Sequence, residues 1–352
     1  MSKKKRLTKA QKRRKKIKVF ILEVVILIIV LIALFLFMKI SKINRQDIGE
    51  VDTNELDQET LDRLNGYTDI ALFGLDNRTN GDTNKGRSDV IIIASINNDT
   101  DEVKMVSVYR DTYLNQTNDS YNKANAAYGS GGAETAIEML NKNLDLNIQD
   151  YATVDFRAVA NCVDAVGGVE IELSDKEAND MTGYIEEVAE MTGKQANYLS
   201  AGGVYTLDGV QAVAYSRLRT TAGSDYKRTE RQREVIGKIV EKAKGSDLGT
   251  LNKLADELLP DISTNLSYKS MLSLVTQVFA YEMGESTGFP FDKTTRDLSC
   301  GDTVIPADLE TNVVKLHQFL YGVETYMPSA TVTEYSDEIK NLTGVTASDA
   351  DQ

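Results

Sequence analysis

The chain has 352 residues, with 40 Lys or Arg against 53 Asp or Glu, a net charge of −13, two cysteines and one histidine. That balance excludes nucleic acid as the partner of its bulk, and a single histidine argues against a Ser-His-Asp triad or a multi-histidine metal site. Its length allows one large or two ordinary domains.

Residues 1–18 hold eleven Lys or Arg and no acid, and Val19–Met38 is apolar except for Glu23. Twenty apolar residues in a helix match the hydrocarbon thickness of a bilayer. Dense positive charge ahead of the run predicts a cytoplasmic N-terminus with the remainder outside. The basic tail resembles a nucleic-acid tail in composition, but beside a span it reads as a topology and anionic-lipid signal. Setting aside those eleven residues, Lys39 and Glu23 leaves 28 basic residues against 52 acidic ones, about −24 for the outer portion. The expected organisation is 1–18 cytoplasmic tail, 19–38 transmembrane helix, 39–66 polar stalk, 67–326 folded domain and 327–352 disordered acidic tail.

Within the domain, Ile70–Leu75 reads as a buried strand ending in Asp76. Asn77–Gly86 is rich in Asn, Gly, Asp and Thr and predicts a loop. Asp89–Ile96 is a second, central strand, and Val103–Val108 a third that runs into Tyr109-Arg110-Asp111. A Gly-rich turn (Gly129–Gly132) opens a helix over Ala133–Leu144. Then come a strand at Ala152–Phe156, a helix at Arg157–Val166, a strand at Val169–Leu173 and a polar insertion to about Ser200. A helix over Leu207–Tyr215 leads into the arginine-rich stretch, and further helices are expected near Thr250–Leu259, Tyr268–Met283 and Ala307–Tyr321. The pattern predicts an α/β (α-β-α type) fold with a mixed central sheet flanked by helices, behind one N-terminal transmembrane helix. His317, in the last helix, reads as a helix-surface or core-edge residue. Cys162 and Cys300 lack metal-ligand spacing, and outside the cytoplasm a disulfide between them is admissible.

The polar chemistry collects at the ends of these elements. Arg217 and Arg219 are two apart, so extended backbone points both to one face. Arg228, Arg231 and Gln232, at i, i+3 and i+4, share the helix face of Val235 and Ile239, while Glu230, Glu234, Lys238 and Glu241 face solvent. Inward arginines require an anionic partner, either internal carboxylates or a bound polyanion. Asp76 with Arg78, Arg87-Ser88-Asp89 and Arg110-Asp111 sit at strand ends. If the first two strands are antiparallel neighbours, Asp76 and Asp89 meet at one sheet edge. Two carboxylates plus substrate oxygens are a common way to hold Mg²⁺, and arginines there would fork onto phosphate. Charge spacing alone admits both this site and a structural Arg–Asp network.

Seven segments carry a resemblance: Ala71–Asp76, Gly86–Asp89, Ser107–Thr112, Lys123–Tyr128, Asp164–Val169, Leu207–Arg217 and Arg228–Gln232. In this order they resemble the LytR-CpsA-Psr proteins, membrane-anchored cell-wall transferases of Gram-positive bacteria. The similarity spans about Asp69–Lys244. It implies transfer of a glycopolymer (teichoic acid, capsule or similar) from a polyprenyl-pyrophosphate carrier to peptidoglycan through a phosphodiester, typically at the muramic acid 6-hydroxyl. It implies Asp76 and Asp89 as ligands of Mg²⁺, with Mn²⁺ as the alternative. It implies Arg87, Arg110, Arg217, Arg219, Arg228 and Arg231 as pyrophosphate ligands, with Gln232 assisting. Asp89, Arg87, Arg110, Arg219 and Arg228 would be the catalytic set. The family's polyprenyl chain lies in an apolar channel. Tyr109 departs from the family pattern, which has proline there. Asp111 and Asp225 are the aspartates available as a base. Hydrolysis of the pyrophosphate, or carrier sensing without turnover, are the rival functions.

Overall fold

The computed structural model describes Leu27 and residues 34–75, 86–219 and 224–351, with backbone alone at 224 and 225. The elements in chain order are α1 (34–40), β1 (Asn44–Arg45), α2 (Gln58–Leu64), β2 (Tyr67–Leu75), β3 (Ser88–Asn97), β4 (Glu102–Val108), β5 (Tyr113–Asn115), β6 (Tyr121–Lys123), α3 (Asn125–Leu144), β7 (Asp150–Asp155), α4 (Phe156–Ala165), β8 (Val169–Leu173), α5 (Asp175–Thr192), β9 (Gly203–Leu207), α6 (Gly209–Arg217), α7 (Ser224–Lys244), α8 (Leu248–Leu258), β10 (Ser263–Thr264), α9 (Tyr268–Gln277), β11 (Glu282–Phe289), β12 (Lys293–Leu298), β13 (Gly301–Pro306), α10 (Leu309–Tyr321) and α11 (Ala330–Thr343).

A seven-stranded mixed sheet in the order β1-β10-β7-β2-β3-β4-β11 forms the middle layer. Its central pairs β2–β3 and β3–β4 are antiparallel, while β7 runs parallel to β2. Strand alternation sends Ala71, Phe73, Leu75, Ile91, Ile93, Val106 and Val108 to one face, where they pack with residues of α3, α10 and α11 in the main core. The register brings four segment ends to one edge. Leu75 pairs with both Ser88 and Asp155. Ile92 pairs with Ser107, and that spacing continued places Asp89 opposite Arg110.

A second core binds α4, α5, α6, β8, β9 and the middle of α7. Its helices begin on strong local signals. Asp155 caps α4, and capping boxes start α5 (Ser174 with Glu177) and α6 (Asp208 with Gln211). Helix α6 is buried from Gly209 to Ser216, and its first residue lies against the α4 backbone. A Cβ on Gly209 would sit 2.1 Å from the Ala160 carbonyl oxygen. Gly209→Ala is therefore expected to destabilise the domain by about 3 kcal/mol, since backbone must move to relieve the overlap. Chemical denaturation measures it, and a change below about 0.5 kcal/mol would contradict the close α4–α6 contact.

Several sequence expectations need correction. The 39–66 segment is not a free stalk beyond α1: Arg45 pairs with Thr264 in the sheet, Val51 and Leu64 are buried, and Val51 exchanges backbone hydrogen bonds with the Gln149 side chain. The 327–352 segment is folded, not disordered. Val332, Ile339 and Val345 enter the main core, and the Ser329 amide donates to Asp145. The supposed helix over Tyr268–Met283 ends at Gln277, and Glu282 starts edge strand β11. The polar insertion after Leu173 contains α5, whose Met181, Ile185 and Val188 are buried. His317 is buried, its Nε2 3.0 Å from the Leu144 carbonyl, and burial lowers its pKa to about 4. Cys162 and Cys300 are both free thiols. Fourteen of the twenty residues of the expected span lie outside the described residues, and among those described no helix is long and apolar enough to cross a membrane.

Candidate active site

A 220 Å³ cavity opens at the sheet edge where β3, β4 and β7 meet the second core. It is lined by Asp89, Arg110, Phe156, Tyr184, Arg217, Arg219, Arg228 and Gln232. Six of these eight were expected from sequence, and four separate stretches of chain supply those six. Among the described lining residues, four guanidiniums face one carboxylate. Such an excess of cationic groups around a small cavity suits an anion carrying more than one charge.

The local geometry explains how each group arrives. Arg217 ends α6; Leu218 is extended and buried, so Arg219 returns to the same side. The Arg217 guanidinium lies over the Phe156 ring at 5.3 Å and the Tyr184 ring at 6.0 Å, and it contacts Glu187 at 3.2 Å. These two aromatic groups hold a cation by its face while its edge stays available for hydrogen bonds. Sequence reading missed both. Phe156 follows the β7 end that the register brings alongside Leu75, and Tyr184 sits within the segment read as an insertion.

On α7, Arg228, Arg231 and Gln232 are 3%, 5% and 6% exposed, while Glu230 and Glu234 face solvent, as the helical spacing requires. Only Arg228 and Gln232 line the cavity. The Gln232 amide nitrogen donates to the Ser216 carbonyl, and its buried oxygen has no hydrogen-bond partner among the described residues. Arg231 differs from its expected role. Its guanidinium donates to Glu177 at 2.9 and 3.3 Å and to the Leu218 carbonyl at 3.2 Å, away from the cavity. It clamps α7 to the start of α5 and fixes the turn between Arg217 and Arg219.

Asp89 accepts from Arg110 Nη1 at 2.5 Å. Arg110 Nε donates to Asp111, which also contacts Lys123 at 3.1 Å. Burial pushes the Asp111 carboxyl up, but Arg110 and Lys123 more than offset it and hold it below the usual carboxylate range. Asp111 does not line the cavity and serves as an arginine partner. Arg87 is exposed just before β3, beside Gly129, and does not line the cavity either. Asp76, Arg78 and the Asp225 side chain lie outside the described residues. The antiparallel β2–β3 pairing on which the Asp76–Asp89 expectation rests is present.

A model of the LytR_cpsA_psr family matches residues 30–287. The chain belongs to the LytR-CpsA-Psr family. Among curated members it is similar to the polyisoprenyl-teichoic acid–peptidoglycan teichoic acid transferase TagU of Enterococcus faecalis, with 29% identity over 238 residues, 67% of this chain and 73% of that protein. The fold is similar to a solved structure of TagT bound to LI-WTA, with a TM-score of 0.56 and 22% identity over 86% of this chain and 99% of that one. It is also similar to the LytR-CPS2A-psr family protein YwtF (TagT) with bound octaprenyl pyrophosphate lipid, with a TM-score of 0.51 and 20% identity. In this LytR-CpsA-Psr chain, four of the seven segments that carried the resemblance converge on the cavity. Gly86–Asp89, Ser107–Thr112, Leu207–Arg217 and Arg228–Gln232 all supply residues to its lining.

Proposed function

We propose that this protein is a membrane-anchored transferase that moves a glycopolymer from a polyprenyl-pyrophosphate carrier to peptidoglycan, working outside the cytoplasm. The observation that carries the proposal is the arginine cavity, in a family whose curated members include proteins named as teichoic acid transferases. Arg110, Arg217, Arg219 and Arg228 would grip the pyrophosphate by forked hydrogen bonds and stabilise the charge that develops on transfer. A glycan hydroxyl attacks the phosphorus that bears the sugar. The phosphodiester forms, the bridging P–O bond breaks, and polyprenyl phosphate leaves with the electron pair and the proton. A phosphate leaving group already held by arginines needs no separate acid.

A divalent cation belongs to this reading, with Asp89, which also accepts from Arg110, as one of its donors. Asp89 is a hard oxygen ligand lining the cavity, and the β2–β3 register brings the chain before Asp76 beside Ser88. Mg²⁺ held by Asp89 and Asp76 would neutralise phosphate oxygens when bound.

In this reading the carrier's tail would lie along the second sheet face. Ile70, Leu72, Val90, Ile92, Ala94, Ile96 and Met105 alternate away from the main core and belong to neither core cluster among the described residues. Their row runs from Val90, next to Asp89, to Ile96, which lines a 520 Å³ cavity under α9 at the opposite end of the sheet.

The test uses the full chain in liposomes with a polyprenyl-pyrophosphate-linked saccharide, Mg²⁺ and peptidoglycan fragments. The expected result is saccharide attached to the glycan with stoichiometric release of polyprenyl phosphate. EDTA and Asp89→Asn should each reduce attachment by about 10²-fold or more. Release without attachment would replace the proposal by hydrolysis, and tight carrier binding with neither product would replace it by sensing.

A further inference from the structure

Helix α9 has two apolar faces where a surface helix needs one. Its inner side packs Met271 against Ile40 and Leu266, and its Ser270, Ser273, Leu274 and Gln277 line the 520 Å³ cavity. Its outer side repeats Tyr268, Leu272 and Val275 at i, i+4 and i+7, with exposures of 45%, 37% and 43%. Phe279 (56%) in the next turn and Met283 at the start of β11 extend the patch. A contiguous apolar stripe of this kind on an otherwise acidic chain marks a contact surface.

The fold also indicates what covers it. Helix α1 is the last piece of the Val19–Met38 apolar run. Its Phe37 ring lies 5.7 Å from Tyr268, and Lys39 and Lys42 contact Asp256 of α8 at 2.7 and 2.5 Å. Phe37 therefore adjoins the α9 stripe, and Leu34, Phe35 and Met38 of the same short helix are also exposed. Phe and Tyr side by side with Lys is the composition of a lipid–water interface.

We propose that the outer face of α9 docks on the lipid headgroup and upper acyl region, seating the lower end of the sheet on the membrane beside the anchor. This rests on the reading of 19–38 as a span. It orients the domain: the cavity under α9 faces the bilayer, and the arginine cavity points away from it.

The chain contains no tryptophan, so Leu272→Trp in the full chain provides a single fluorophore, with Val275→Trp as a second position should the first fail to fold. Leu342→Trp, on the outside of α11 and 52% exposed, is the reference. In liposomes containing acyl-brominated lipid, Leu272→Trp should emit at shorter wavelength and be quenched several-fold more strongly than Leu342→Trp, with the reverse order for aqueous iodide. Equal quenching by iodide at both positions would overturn the proposal. Protection from both quenchers would also overturn it, in favour of a second protein copy on this face. The span is read separately by flotation and alkaline extraction. A chain stripped by alkali but quenched by bromolipid beforehand keeps the docking surface and loses the span. A chain that never floats with the liposomes refutes both.

Discussion

Arg228→Ala should reduce transfer by roughly 10²- to 10³-fold in a protein that remains folded. Arg228 is 3% exposed and contributes a guanidinium to the cavity from the second turn of α7. A donor fixed in a dry site before the reaction begins loses little by reorganising, so its removal is felt fully when charge develops on the transferring phosphate. Two of its companions are held where they are. Arg110 is tied to Asp89 and Asp111, and Arg217 is stacked on Phe156 and Tyr184. Arg228→Met, which keeps most of the volume without the charge, guards against a packing explanation. Turnover assays with circular dichroism on both variants decide the matter. Wild-type turnover in a folded variant would remove Arg228 from the mechanism.

Glu177→Ala should cost about 3 kcal/mol of stability, combining a lost capping-box contact with the loss of a charged hydrogen-bond partner from the buried Arg231. One oxygen of Glu177 accepts from the Ser174 amide and hydroxyl, closing the α5 capping box. The other accepts from Arg231, whose side chain is only 6% exposed. One carboxylate thus starts a helix and neutralises the inward arginine that braces Arg217 and Arg219. Adding Arg231→Met should restore part of the loss, because an apolar pair of similar volume carries no desolvation debt. Urea titrations of both variants measure this, and a loss below 1 kcal/mol would mean that Arg231 is held by other groups. The pH dependence has a definite sign. Burial raises the Glu177 carboxyl, but the Ser174 hydrogen bonds and Arg231 outweigh it and hold it below its ordinary 4.5. A depressed carboxylate contributes its stability above the ordinary value and loses it as pH falls through the folded value. Acid sensitivity below about pH 4 should therefore diminish in Glu177→Ala.

The inward face of α7 was legible because helical spacing is strict: residues at i, i+3 and i+4 must share a side, whatever surrounds the helix. The strands were legible because Ile, Val and Ala runs of that length bury in a sheet. The tail was misread for a compositional reason. Glu334, Asp337 and Glu338 lower its mean hydropathy, while Val332, Ser336 and Ile339 form a narrow buried stripe at helical spacing. The 39–66 segment misled in the same way, since Val51 and Leu64 are isolated apolar residues in a polar stretch. Amphipathic elements with thin apolar stripes look solvated until a partner surface is known.

The sequence by itself determined the residue types of the site, the faces on which they lie, and the family through seven segments in order. Tertiary structure alone decided which arginines face the cavity. Arg228 and Arg231 are equivalent by spacing, yet Arg228 lines the cavity and Arg231 meets a carboxylate fifty-four residues away in sequence. It also decided that Phe156 and Tyr184 support Arg217, and that α9 keeps a second apolar face outward. The physical reason is common to all three. Spacing along a chain fixes the direction of a side chain relative to its own element, but the partner it meets depends on how separate elements pack, and no local period encodes that.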